Sequence, residues 1–393
     1  MIESLRNQFN ASFTHEKYEA YLHKIEELTG EEPHFRVAET PIFIPDDLKG
    51  MLLRACDDLI DFIVDKDFYA FSEKSIPAHQ RFPNDPKYSP FLIFDFGVCE
   101  NEKGEIVPQL IEMQGFPSLY AFMLLKARAC REVFHLPDHL TSLINTSQLQ
   151  EVEDLKKIII ADADPAEVIL LDHLPEEQKT KVDFAATKKL LGIETVCVTK
   201  LKQDGRMLYY EKDGKKQKIS RIYNRLIFDE FFAKKIESID LTQDLDVTWL
   251  PHPNWYYRVS KYLLPYIKSD FVPETICISD LKTIPDNLND YVLKPLYSYA
   301  GMGVVIDVKK EDIENIKEPH EWILQKKVHY IPAIKTLNIP TKAEIRMMAI
   351  WEGPEQRPRV VQNLVRLSKG KMIGVRYNAD FDWVGSSICF FES

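Results

Sequence analysis

Apolar residues recur at helical spacing twice within the first 85 residues. HEKYEAYLHKIEELTG (15–30) carries one such stripe and stops on Gly30, and LKGMLLRACDDLIDFIVD (48–65) carries another. The spacing therefore predicts a mostly helical N-terminal region. IPAHQRFPNDPKYSP (76–90) breaks the pattern with proline and polar residues and reads as loop. From residue 90 the period changes. SPFLIFDFGVCE and EIVPQLIEMQG are strand-like runs around Asn101-Glu102-Lys103-Gly104, which predicts a β-hairpin, and a helix is expected from Pro117 to about Phe134.

Residues 145 to 250 read as a separate α/β unit. EVILLDH is a strand, EEQKTKVDFAATKKLLG a helix closed by Gly192, and ETVCVTK the next strand. MLYYEKDGKKQKIS is a hairpin turning at Asp213-Gly214, and ISRIYNRL is another strand. The β-α-β order predicts a small parallel sheet. Residues 255 to 290 hold a helix, YYRVSKYLLPYI, interrupted by Pro265, and a proline-flanked link. From residue 291 the chain is strand-rich: YVLKPLYSYAGMGVVIDV, EWILQKKVHY, KAEIRMMAIWEG and RVVQNLVRLSKGKMIGVRYN. The overall expectation is an α+β / α/β protein.

With 393 residues, two or three domains or subdomains are expected. A formal charge of −11 argues against a basic nucleic-acid-binding face, though not against a local phosphate pocket. The six cysteines show no CxxC or zinc spacing and read as reduced, mostly buried thiols. MIESLRNQFN lacks the features of a signal peptide, and no apolar run approaches the ~18 residues of a membrane span. A cytoplasmic location without membrane contact is the expectation. A homodimer is the default assembly.

Three constellations carry candidate chemistry. The first lies in Tyr291–Val308, where Lys294 ends an apolar run before a loop with Gly301 and Gly303. A lysine there supplies a point charge for phosphate oxygens, and the glycines let backbone N–H groups approach them. The spacing fits neither a Walker loop nor a dinucleotide fingerprint, and a plain hairpin turn is the competing reading. The second is Glu112 and Gln114, two apart on one strand and so on one face. If Lys103-Gly104 is a two-residue turn, Asp95 falls opposite Glu112. Such oxygen ligands suit Mg²⁺, against the alternative of a solvated acidic face. Asp95 nevertheless sits inside FLIFDFGV, where a carboxylate needs a partner. The third is Glu344 and Arg346, again two apart, with Arg366 on a later strand. Arginine there stabilises charge on a transferring phosphoryl group, or else forms a cross-strand ion pair with Glu344. Lys261 and the Gln325-Lys326 strand are further candidates, the latter as a strand edge offering backbone groups to an adenine ring; taken alone, each reads first as surface charge.

In order along residues 90 to 393, FDFGVCENEKGEIVPQLIEMQG, RIYNRL, HPNWYYRVSKYLL, VLKPLYSYAGMGV, ILQKKV and NLVRLSKGKMIGV together resemble the circularly permuted ATP-grasp ligases, the group that includes glutathionylspermidine synthetase-like proteins. The resemblance implies an ATP-grasp fold with an inserted pre-ATP-grasp-like α/β domain at 146–255. Residues 1–145 would hold the helical region and the permuted metal-binding strands, and 256–393 the nucleotide-binding region. It further implies ATP and Mg²⁺ as cofactors. Lys261 and Lys294 look like the nucleotide lysines, and Gly301 and Gly303, with Ser298 of the same loop, like the phosphate lid. Ile323 to Lys326 look like the adenine-contacting strand, and Asp95, Glu112 and Gln114 like the magnesium ligands. The family usually shows Glu-x-Asn where this chain has Glu112-x-Gln114. It often has an arginine two residues before the aspartate, where this chain has Ile93; Arg81 and Arg225 are the candidates to replace it in space. No amidase domain is present, so the glutathione–spermidine substrate pair is not supported. Two functions follow: an ATP-dependent ligase joining a small-molecule carboxylate to an amine, with Arg366, Arg346 and Glu344 as catalytic candidates, or a non-catalytic nucleotide- or partner-binding module.

Overall fold

The computed structural model describes residues 1–297, 303–370, 373, 378 and 380–392. At its centre lies a five-stranded antiparallel sheet, ordered Gly385–Ser387, Arg359–Ser368, Lys342–Ile350, Phe91–Glu100, Ile106–Gln114. Phe94, Phe96, Ile345, Met347 and Val365 point into a core shared with the helix Asp46–Val64. On the opposite face Phe91, Ile93, Met348 and Ile350 pack into a second core with the helix Tyr120–Phe134. Burial on both faces explains why the central strands read as nearly continuous apolar runs. Gly30 closes the helix His15–Thr29 in the left-handed conformation, as its position implied.

The expected hairpin forms, but its turn differs from the sequence reading. Asn101 N–H donates to the Glu105 carbonyl at 3.0 Å, leaving three residues in the loop rather than two. Asn101 Oδ1 accepts from Lys103 N and Glu105 N, and Gly104 takes φ +78°, so the side chain of Asn101 organises the turn. This moves the register by one, to Glu100↔Ile106 and Phe96↔Leu110. A β-bulge then inserts Ile111, and the register becomes Asp95↔Glu112. The two departures cancel, so Asp95 does face Glu112.

The strands Thr248–Leu250, Arg221–Asn224, Val168–Asp172 and Glu194–Cys197 form a parallel sheet in that spatial order. The helix Lys181–Leu191 is the crossover between two of them. Asp213 and Gly214 both have positive φ, the signature of the tight turn joining Met207–Lys212 to Lys215–Ile219.

A third, three-stranded antiparallel sheet is ordered Thr275–Cys277, Trp322–Lys326, Tyr291–Pro295. Two expectations change here. Trp322–Lys326 is the central strand, not an edge, so its backbone groups are committed on both sides. The β-branched run after the glycines makes only the bridge Leu293↔Val305 before the short helix Lys310–Glu314. Further elements escaped the sequence pattern. Ile42–Ile44 pairs in parallel with Cys389–Glu392, and the helix expected over 256–267 is instead Asn254–Arg258 followed by a 3₁₀ turn, Lys261–Tyr266.

Candidate functional site

The polar cluster of the central sheet is built by register. Asp95 lies between Arg346 on one neighbouring strand and Glu112 on the other; Glu344 lies between Gly97 and Arg366. Arg346 grips Asp95 as a fork, Nε to Oδ1 and Nη2 to Oδ2, each at 2.7 Å. Arg366 Nη2 adds a third contact to Oδ2 at 3.2 Å, and its Nη1 pairs with Glu344 Oε1. Tyr330 O–H donates to Glu344 Oε2 at 3.0 Å. Gly97 makes room for that tyrosine, because a Cβ there would lie 2.7 Å from the ring.

Burial would raise Asp95, but Arg346 and Arg366 outweigh it and hold the carboxyl at about 2. Glu344 moves the other way, because burial outweighs Arg366. Arg366 is raised: Asp95, Glu344 and Glu112 more than offset its desolvation.

Two lysines from outside the sheet come to the same cluster. Lys294 Nζ donates to the Ile111 carbonyl at 3.1 Å and to Gln325 Oε1 at 2.6 Å. Gln325 is oriented in turn by its amide N–H to Thr275 Oγ1 at 3.2 Å. Burial, with Lys261 nearby, lowers Lys294 to about 8, against the pull of Glu112 and Glu344. Lys261 is lowered by burial, opposed by Glu112 and Asp229.

A clamp sets Lys261 in place. Gly115 N–H donates to the Val259 carbonyl at 3.1 Å, and a Cβ on Gly115 would meet the Trp255 carbonyl at 2.5 Å. Arg258, fully buried, donates to the Tyr69 carbonyl at 2.7 Å and to Asp85 Oδ2 at 2.9 Å. Asn254 exchanges two hydrogen bonds with the Phe82 backbone, and Trp255 Nε1 donates to the Pro86 carbonyl. The loop 76–90, which showed only proline and polarity in the sequence, is thus the fastening for the segment that carries Lys261.

The structure brings Asp95, Glu112, Glu344, Arg346, Arg366, Lys261, Lys294 and Gln325 together. Gln114 joins them, donating its amide to Glu112 Oε1 at 3.1 Å. Lys326 does not join: it is exposed, and its N–H is taken by the Glu274 carbonyl. Gly303 takes φ +74° beside the Pro295 ring, while Ser298 and Gly301 lie outside the described residues. Arg81 pairs with Glu73, and Arg225 with Asp183; the guanidiniums on Asp95 are those of Arg346 and Arg366. Tyr330 and the Ile111 carbonyl were not legible in the sequence. Gly97, inside an apolar strand, was the one available signal of a close approach.

The residues of the expected metal set, Asp95, Glu112 and Gln114, are engaged with protein partners in this structure. Both Asp95 oxygens are already bound by guanidinium nitrogens. Among the described residues no group of three His, Cys, Asp or Glu side chains is arranged to hold a metal ion.

No protein-family profile and no curated protein matches this sequence. Among solved structures, the chain is similar to a glutathione synthetase-like effector from Globodera pallida in its apo form. The TM-score is 0.57 at 12% identity, covering 95% of this chain and 96% of that one. At that identity the likeness is one of fold: a mixed α/β architecture with several sheets shared along nearly the whole chain. No helix among the described residues is long and apolar enough to cross a membrane.

Proposed function

We propose that this chain is an ATP-dependent carboxylate–amine ligase of the ATP-grasp type. The observation that carries the reading is the arrival of Lys261 and Lys294, from two separate elements, beside Glu112 on the central sheet. Glu112, Glu344 and Asp229 offset part of the cost of burying two lysines at one place, and a triphosphate is a further anion that both could meet. The glutathione synthetase-like fold of the structural neighbour supports the same reading.

In this reading the lysines hold the phosphates of ATP. Arg366, with 34% of its side chain exposed, faces the charge that develops on the transferring phosphoryl group, and Glu344 orients it. A carboxylate oxygen of the acid substrate attacks the γ-phosphorus, and the bond to the β-phosphate oxygen breaks to release ADP. The amine substrate then attacks the acyl carbon, loses a proton, and expels phosphate to leave an amide. Catalysis is mainly positioning and charge neutralisation. Lys294→Ala tests the assignment through ADP formation by a folded protein: turnover is expected to vanish, and full turnover overturns the nucleotide role of Lys294.

The fully compensated Asp95 favours a second reading, a nucleotide-binding module without turnover. A panel of acids and amines separates the two. ADP release that depends on a substrate pair excludes the module, and its persistent absence across a broad panel favours the module.

A further inference from the structure

The charge pattern of the cluster goes beyond what a phosphate-binding cleft requires. Asp95 has no exposed surface, and its two oxygens together receive three guanidinium hydrogen bonds. A magnesium ion demands oxygen ligands in a near-octahedral shell at 2.0–2.1 Å. To join that shell, Asp95 has one unengaged lone pair, on Oδ1. A cation bound there would share the carboxylate with the Arg346 guanidinium, itself only 5% exposed, and stand close to its charge, an arrangement disfavoured in a buried site. The cluster also needs no added cation for balance. Lys261, Lys294, Arg346 and Arg366 already match Asp95, Glu112, Glu344 and Asp229 in number.

We propose that Arg346 stands in for a metal ion at Asp95, so that this cleft takes a nucleoside triphosphate without requiring a divalent cation. The proposal rests on the nucleotide reading above and adds to it the source of the positive charge. A guanidinium is always charged and has a fixed fork, so the charge is built into the fold rather than recruited from solution. Glu112 and Gln114 remain near the phosphates, but binding does not wait for an ion on them.

Calorimetric titration of ATP into the full chain, once in EDTA and once in excess Mg²⁺, tests this. The two dissociation constants are expected to agree within about threefold, well under the tenfold that corresponds to 1.4 kcal/mol. Arg346→Met, which keeps the length of the side chain but frees Asp95, is expected to weaken binding in EDTA by at least about tenfold and to regain it in Mg²⁺ or Mn²⁺. Wild-type protein that binds ATP only with Mg²⁺ overturns the proposal while leaving the nucleotide reading intact. Metal-free binding by Arg346→Met as tight as that of wild type also overturns it, since the arginine is then a purely structural ion-pair partner. Should Arg346→Met fail to fold, the wild-type comparison decides, with Arg346→Lys, which keeps the charge, expected to retain binding in EDTA. No ATP binding under either condition fells the nucleotide reading itself, and this proposal with it.

Discussion

Lys294 Nζ is held at 3.1 Å from the carbonyl of Ile111, the residue that the β-bulge leaves without a partner strand position. A regular ladder would spend that carbonyl on a neighbouring strand; the bulge turns it toward the lysine. One extra residue thus does two jobs. It bends the edge strand beside the cluster and supplies an acceptor for a cation arriving from another sheet.

Deleting Ile111 should therefore damage the cluster more than substituting it. Removing the bulged residue leaves Leu110 opposite Phe96 and Glu112 opposite Asp95, but it takes away the carbonyl that accepts from Lys294. ATP binding is expected to weaken in the deletion variant and to persist in Ile111→Ala, whose carbonyl remains. Calorimetry on both variants checks this, and equal binding by the two would contradict the role given to the bulge.

The lowered Lys294 gives a pH signature. A charged lysine is needed for phosphate, and Lys294 loses its proton near pH 8 in the folded protein. ATP affinity is expected to fall by about tenfold per pH unit above that point, whereas a surface lysine would hold until about 10.4. The unfolded chain binds more protons between those two values, so Lys294 contributes stability that increases as pH rises through this window. Affinity and stability are thus expected to move in opposite directions with pH. Titrations and urea melts at pH 7.5, 8.5 and 9.5 measure both.

Tyr330→Phe removes the hydrogen bond to Glu344 and keeps the ring. The expected cost is about 1 kcal/mol of stability, from the loss of one donor to a buried carboxylate. Gly97→Ala is expected to cost more, ~1–3 kcal/mol, because the added methyl meets that ring. Chemical denaturation ranks the two, and the reverse order would place the Tyr330 ring elsewhere.

Arg258→Met should release the clamp behind Lys261. Breaking a buried ion pair by removing one partner costs about 3–5 kcal/mol. Thermal melts should show that loss, together with weaker ATP binding at temperatures where the variant stays folded. Unchanged binding would mean that Lys261 is set by the 3₁₀ turn alone.

Much of this arrangement could be read in the sequence, for local reasons. Glu112 and Gln114 share a face because side chains alternate on a strand, and Asp95 stood out as a carboxylate within an apolar run. Its partner did not stand out. Arg346 is 251 positions away, and nothing near Asp95 announces which strand will lie beside it. Arg81 and Arg225 are the candidates the sequence offers for the missing arginine, whereas the nearest guanidinium partner of Asp95 is on the adjacent strand. Lys326 failed for a related reason: whether a strand is central or at an edge depends on pairings with Thr275–Cys277 and Tyr291–Pro295, which no local pattern encodes. Ile42–Ile44 is too short to show a period, and its partner strand is near the other end of the chain.

That last pairing, with the meeting of Asp95 and Arg346, constrains how the protein is made. The strands at 91–114 leave the ribosome long before those at 342–368, and the central sheet cannot close until the later pair has emerged. The nascent chain must meanwhile keep FLIFDFGV, a sticky unpaired strand, from finding the wrong neighbour. The polar cluster is therefore incomplete until residues 342–368 have been made, so a product truncated before them would carry only its early half.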